Sequence, residues 1–310
     1  MNSRESWIKH NKIMQSRNTE FHDVFIVPSF NPVRSFEINT DGEDWFVGDV
    51  HGMFTQLDVE LERSGFDARC DRLFMVGDLI DRGPDSFAAV DFLERHYVHS
   101  VRGNHDQFFL DAQHCEVIRN FWVNHAGGLW SMAISQADLN ALYNTIESLP
   151  IAMNISTAYG RFGVVHAEVP VGATWDEFTV RLEDEQKTQS PNDYVASLSA
   201  QWSRFRIESS KKSNFRKYMR ETSLPYDTHA WINDKIPNHV DGVTAVIMGH
   251  SSCSSAMFCG NHAWIDAGAV RNQQRASMGE CVFGLFRASE IAEKLNINPV
   301  TGFIESTFLR

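Results

Sequence analysis

Five short apolar runs in this chain end in the same kind of side chain. WFVGDVHG (45–52), LFMVGDLIDRG (73–83), VHSVRGNHD (98–106), FGVVHAE (162–168) and TAVIMGHSS (244–252) each pass from apolar residues to Asp, Asn or His. A short continuous apolar run bounded by Gly is the pattern of a strand covered on both faces. Between the first three runs, residues 53–64 put Phe54, Leu57 and Leu61 on one helical face before Ser64-Gly65, a helix stop. Residues 85–95 do the same with Phe87, Val90 and Leu93 after Gly83-Pro84. Strand–helix alternation predicts parallel pairing through crossovers, with the ligand site beyond the carboxyl ends of the strands. Further strands are expected over 264–266 and 282–286, and mainly helix over 106–150, ending at Pro150.

The second run delivers Asp78, Asp81 and Arg82 from what reads as a core strand. Burying charge without a partner is costly, so either these residues face water in a turn or something pairs with them. One Gly-Asp at a strand end is ordinary turn chemistry. Five charged or ligating tips in one chain point instead to a shared site. Asp49, His51, Asp78, Asn104, His166 and His250 offer carboxylate, imidazole and carboxamide without thiolate. That donor set suits Mn²⁺, Fe²⁺ or Zn²⁺ and is richer in nitrogen than a calcium or magnesium cage. Six ligands exceed the need of one catalytic ion with open positions, whereas two ions sharing a bridging carboxylate would use them all.

Composition narrows the partners. The 310 residues can bury a substantial core, and 43% apolar content suits a globular fold. A formal net charge of −12 gives no footprint for general binding to nucleic acid or anionic membranes. The polar first twenty residues lack a signal-peptide pattern, and no segment has the length of a membrane span, so a cytoplasmic protein is expected. Five cysteines without a CxxC argue against a disulfide framework or structural zinc. The expected organisation is an N-terminal extension over 1–44 and one catalytic domain over 45–310. A polar insertion at 170–240 decorates that domain, and a monomer is expected.

GDVHG (48–52), GDLIDRG (77–83), GNHD (103–106), His166 in VVHAE and His250 in MGHSS resemble, in order and spacing, the calcineurin-like metallophosphoesterases. Within them the likeness is to the phosphoprotein phosphatase branch, and most to its bacteriophage-lambda-type and bacterial serine/threonine members. Those also carry segments similar to WSR (202–204) and IDAGAV (265–270). The resemblance implies an α/β four-layer sandwich: two mixed sheets packed together, flanked by helices, with a dinuclear metal site at the strand ends. It further implies one metal on Asp49, His51 and Asp78, and a second on Asp78, Asn104, His166 and His250, Asp78 being the bridge. Arg204 is a phosphate clamp by the same resemblance, with Arg206 close enough in sequence to serve instead. NHAGGLW (124–130) is similar to a glycine-rich stretch near the site of lambda-type enzymes and reads equally as a helix stop followed by a turn. Three departures, Asp106 for Glu, Glu168 for Asp and GHSS for GHT, leave every ligand in place.

Chemistry assigns the remaining charges. Two cations, most aptly Mn²⁺, would lower the pKa of a shared water and neutralise phosphoryl oxygens during in-line displacement, with no phosphoenzyme. Arg82 pairs with phosphate through its guanidinium fork, beside Asn104. His105, next to the ligand Asn104, supplies the proton a leaving alkoxide needs, and Asp81 fixes its tautomer. The expected activity is that of a serine/threonine phosphoprotein phosphatase, also acting on small phosphoesters. Alternatives are a symmetrical dinucleoside tetraphosphate hydrolase, favoured by RGP and GNHD, and a cyclic-nucleotide phosphodiesterase. An inactive scaffold is disfavoured by the intact ligand set. The basic cluster Lys211, Lys212, Arg216, Lys217 and Arg220 reads as a solvated helix face.

Overall fold

The computed structural model describes residues 31–188, 195–204, 207, 239–272, 275, 278 and 280–297. The first thirty residues, most of the insertion between 189 and 238, Arg206 and the basic cluster at 211–220 lie outside the described residues.

Two mixed sheets carry the site. The smaller has the order β10-β2-β3-β4, from β2 (Asp44–Val47), β3 (Arg72–Met75), β4 (Val98–Ser100) and β10 (Leu285–Arg287). Its first three motif strands run parallel, as the alternation predicts, with Val47 opposite Met75 and Met75 opposite Ser100. The larger sheet has the order β1-β5-β6-β7-β9-β8. Its members are β1 (Val33–Phe36), β5 (Ala152–Thr157), β6 (Gly160–Val165), β7 (Ala245–Met248), β8 (Met257–Cys259) and β9 (His262–Trp264). β6 and β7 are parallel neighbours, so His166 and His250 leave the same sheet edge.

Strand alternation explains the layers. Phe46 and Phe74 turn inward and meet Phe162, Val164, Ile155 and Ile247 of the other sheet in a sheet-on-sheet core. Trp45, Val47, Leu73 and Met75 turn outward, onto Leu57 and Leu61 of α1 (Phe54–Ser64) and Phe92 of α2 (Ala89–Leu93). Across the molecule Val165, Val246 and Trp264 pack on Trp175, Phe178 and Leu182 of α6 (Trp175–Thr188) and Ala200 of α7 (Val195–Trp202). Each fully buried side chain of this size contributes about 1.5–3 kcal/mol. The four-layer arrangement is the expected one.

Element boundaries differ from the sequence reading for local reasons. β3 stops at Met75 because Gly77, at φ +91, and Asp78, at φ +50, turn the chain. Residues 85–95 form a single 3₁₀ turn (Ser86–Ala88) before α2. The helical stretch after 104 is broken into pieces. α3 (Asn104–His114) ends at the extended Cys115, α4 (Glu116–Phe121) runs into a π turn (Trp122–Ala126) closed by left-handed Gly127, and a 3₁₀ segment (Gly128–Ala133) follows. α5 (Gln136–Glu147) then starts where Ser135 caps it by accepting the Asp138 N–H at 3.2 Å. β9 ends before Asp266, and β10 begins at Leu285 rather than 282. Among the described residues no helix is long and apolar enough to cross a membrane.

Candidate metal and phosphate site

The strand tips converge. Asn104 Oδ1 lies 2.9 Å from His166 Nε2 and 2.9 Å from His250 Nδ1, and Asp78 Oδ1 is 3.3 Å from His166 Nε2. On the other side of Asp78, Oδ2 is 3.5 Å from His51 Nε2. Asp78 thus faces two nitrogen clusters with its two oxygens. Asp49 Oδ1 accepts the main-chain N–H of His250 at 3.0 Å. All six residues expected as ligands are buried.

The imidazole tautomers follow from their partners. A carbonyl can only accept, so His51 Nδ1 donates to Ile80 O at 2.9 Å, His166 Nδ1 to Val76 O at 2.8 Å, and His250 Nε2 to Trp202 O at 3.2 Å. The other nitrogen of each ring keeps a lone pair aimed into the site, the arrangement of histidines that ligate metal. Burial keeps each of these three histidines below its ordinary pKa, with Arg82 adding to the effect at His51 and Arg204 at His250. Burial opposes charge on Asp78, but the nitrogen-rich surround of His166, His105, His51 and Arg82 outweighs it and holds the carboxyl well below the usual range. Asp49 goes the other way, raised by burial and by the carboxylates of Asp266 and Asp78. Neutral imidazoles, one firmly ionised carboxylate and one repelled carboxylate are donors that divalent cations fit.

The backbone is strained here. His51, Asp78, Asp81, Arg82 and His250 all have φ between 48° and 77°, in the left-handed region that side chains avoid. Most of the non-glycine residues described in that region are therefore site residues.

His105 enters from the first turn of α3, its amide donating to Asp78 Oδ1 at 2.9 Å. Its ring Nδ1 lies 2.8 Å from Asp81 Oδ2. His105 also falls within ligand reach of His51 and Asp78. Among the described residues Arg82 does not fold back into an ion pair with Asp78 or Asp81: its guanidinium nitrogens lie 2.5 Å from His51 Nε2 and 2.6 Å from His105 Nε2. Arg204 arrives from the chain after α7 and donates to His250 O at 2.7 Å and Ser251 Oγ at 3.3 Å.

Several contacts here were not predicted from the sequence, which offers Trp122 no signal and marks Trp130, Glu168, Asp266 and Asp106 only within motifs. Both indoles of the 122–130 segment reach Asp81, Trp122 Nε1 donating to Oδ2 and Trp130 Nε1 to Oδ1, each at 2.8 Å. NHAGGLW is therefore at once a helix stop and a part of the site. Its glycine pair was the visible signal. Glu168 accepts from Ser203 Oγ at 2.7 Å and Ile207 N at 3.1 Å, fastening the segment on either side of Arg204. Asp266 is buried, accepts from Ser252 Oγ and Gly268 N, and adds negative charge beside Asp49. Asp106 accepts from the amides of Gly103 and Leu79, tying two tips together, and burial pushes its carboxyl up to about 7.

A serine/threonine-protein phosphatase 1 of Salmonella typhimurium is 34% identical over 128 residues, 41% of this chain and 59% of its own length. A symmetrical bis(5'-nucleosyl)-tetraphosphatase of a Shewanella species is 32% identical over 161 residues, 51% of this chain and 56% of its own. The chain thus spans less than two thirds of the length of these curated relatives. A solved serine/threonine phosphatase from Saccharomyces cerevisiae superposes with a TM-score of 0.48 at 14% identity, covering 85% of this chain and 76% of that one. The family model for calcineurin-like phosphoesterase matches residues 45–254, a span that holds every tip from Asp49 to His250, and the chain belongs to that family.

Proposed function

We propose that this chain is a two-metal serine/threonine phosphoprotein phosphatase. The observation that carries this reading is the 2.8 Å contact between His105 Nδ1 and Asp81. A serine or threonine alkoxide leaves poorly unless protonated, whereas a nucleoside polyphosphate leaves as a phosphate that needs no proton. A site that builds an oriented acid is built for phosphomonoesters of alcohols.

Asp49, His51 and Asp78 would hold one cation, and Asp78, Asn104, His166 and His250 the other. When bound, such a pair acidifies water and neutralises charge on phosphoryl oxygens. Mn²⁺ is the apt ion, with Fe²⁺ and Zn²⁺ as alternates that the same donors accept. The protein's own residues do the rest. Arg82 and Arg204, from opposite sides, take phosphate oxygens and set the ester in line. With Nδ1 committed to Asp81, His105 presents Nε2 to the leaving oxygen and delivers the proton there once Arg82, whose guanidinium otherwise donates to that nitrogen at 2.6 Å, has turned to the phosphate. No residue of the site is needed as a covalent nucleophile. The protein acts in the cytoplasm on phosphorylated proteins and small phosphoesters, as a monomer without nucleic-acid binding.

Hydrolysis of a dinucleoside tetraphosphate is the second reading, favoured by RGP at 82–84 and GNHD at 103–106 and by the Shewanella relative. A competition assay separates the two. Chelator-treated protein reloaded with Mn²⁺ receives a phosphoserine peptide and diadenosine tetraphosphate together. Inorganic phosphate from the peptide as the main product is the expected result, and a predominance of ADP would replace the proposal with the second reading.

A further inference from the structure

Asp81 is fully buried, and its carboxylate carries three side-chain donors: His105 Nδ1 and Trp122 Nε1 on Oδ2, and Trp130 Nε1 on Oδ1. The donors come from three separate pieces of chain, α3, the π turn and the 3₁₀ segment. One of them, His105, is the acid; the other two are neutral N–H groups with no proton to exchange near neutral pH. Their bonds settle where the carboxylate plane lies. Asp81 also sits at φ +77, a conformation the backbone does not hold unaided, with its own amide donating to Ser86 Oγ at 2.9 Å.

The local sequence is shaped to bring the indoles in. Gly127 ends the π turn at φ +103, and a Cβ on Gly128 would come within 2.3 Å of the Trp122 ring. The two indole rings stand nearly perpendicular, 89° apart with centroids at 6.0 Å, so each edge can aim at a different oxygen. Removing the Trp130 donor would leave Oδ1 buried and unmatched, a cost the carboxylate relieves by rotating toward other donors. Rotation about Asp81 moves the acceptor that aims His105.

We infer that Trp122 and Trp130 are positioning residues for proton delivery: they lock Asp81 so that His105 meets the leaving oxygen of an alkyl phosphate. The inference rests on the reading of His105 as the acid. Its signature is dependence on the leaving group, because an activated aryl phosphate leaves without a proton.

Trp130→Phe keeps most of the packing of a half-buried ring and deletes its donor. The expected result, with the Mn²⁺-loaded full chain, is a kcat about tenfold lower on a phosphoserine peptide, with KM unchanged and activity on p-nitrophenyl phosphate within about twofold. In an Asp81→Asn background the same change should cost nothing further on the peptide. In the ¹⁵N spectrum of the metal-free protein, the Trp130 indole N–H should move in Asp81→Asn. Equal loss on both substrates, no loss on either, additive losses in the double variant, or an unmoved indole resonance would each overturn the inference. His105→Asn is the control for the reading beneath it. If His105→Asn loses equally on both substrates, the acid assignment falls and the inference with it; if it loses selectively and Trp130→Phe does not, the inference alone falls. Trp122 is a core side chain, so Trp122→Phe is read only after its melting curve matches the parent's.

Discussion

The main-chain N–H of His250 donates to Oδ1 of Asp49 at 3.0 Å, joining the first and last tips across 201 positions of sequence. Asp49 is held there against its neighbours, with burial and the carboxylates of Asp266 and Asp78 pushing its own carboxyl upward. Asp49→Asn keeps the acceptor and removes the charge. Without metal the variant should melt higher, by roughly 2–4 °C for each kcal/mol of repulsion relieved. It should also bind less Mn²⁺. Calorimetry of chelator-treated protein and metal analysis of the dialysed protein check both, and a lower metal-free melting temperature would contradict the repulsion.

Asp78 faces His51 with one oxygen and His166 with the other. Asp78→Asn should reduce bound Mn²⁺ from two equivalents to at most one, measured by elemental analysis after dialysis. Retention of two would remove Asp78 from the bridging position.

Glu168 fastens Ser203 and Ile207 around Arg204. Glu168→Gln places an amide where the carboxylate meets these donors, and loss of the charge assistance, about 1 kcal/mol, corresponds to roughly fivefold. The loss should appear in KM for the phosphopeptide with kcat nearly unchanged. Combined with Arg204→Ala it should be less than additive. An unchanged KM would detach Glu168 from the clamp.

Gly128→Ala drives a methyl into the Trp122 ring. Overpacking of this kind costs about 1–3 kcal/mol. Partial accommodation would displace the indole from Asp81, so a folded Gly128→Ala protein should lose peptide activity while keeping aryl phosphate activity. Denaturant melts and paired assays test the two effects separately.

His99 packs against the rings of Phe36 and Phe74, and burial, reinforced by Arg72 and Arg34, lowers its pKa from 6.5 to about 4. Between those values the unfolded chain binds more protons than the folded one. Stability is therefore complete above about pH 6.5 and falls as the solution is acidified toward pH 4. His99→Phe should flatten that fall. Melting temperatures of both proteins at pH 7 and pH 5 should converge or cross at the acid end, and parallel curves would assign the acid lability to other groups.

The convergence of the six strand-tip residues was legible because each follows within a few residues of an apolar run, and a strand's end fixes where the next side chains go. The layers were legible for the same reason, since inward Phe46 and outward Trp45 and Val47 follow from alternation alone. Boundaries were less so. Helical periodicity continues through Cys115 and Gly127, where backbone dihedrals rather than side-chain pattern break the helix. The partners of Trp122, Trp130 and Glu168 were not legible, although the sequence singled out Glu168 and the NHAGGLW stretch that holds Trp130, because those roles are created by contacts between distant segments. A tryptophan in an apolar stretch reads as core, and Trp122 is core on one side; only its N–H reports the other. Asp266 was hidden similarly, its role set by proximity to Asp49 rather than by any local spacing.

Asp49, His51, Asp78 and Asn104 follow strands of the smaller sheet, whereas His166 and His250 follow strands of the larger. A cation pair held by both groups would rivet one half of the molecule to the other, because a ligand bound by the native state alone adds its binding energy to folding. The protein's lifetime in the cell would then be tied to metal supply: starvation for the ion would first silence the enzyme and then open its seam to proteases.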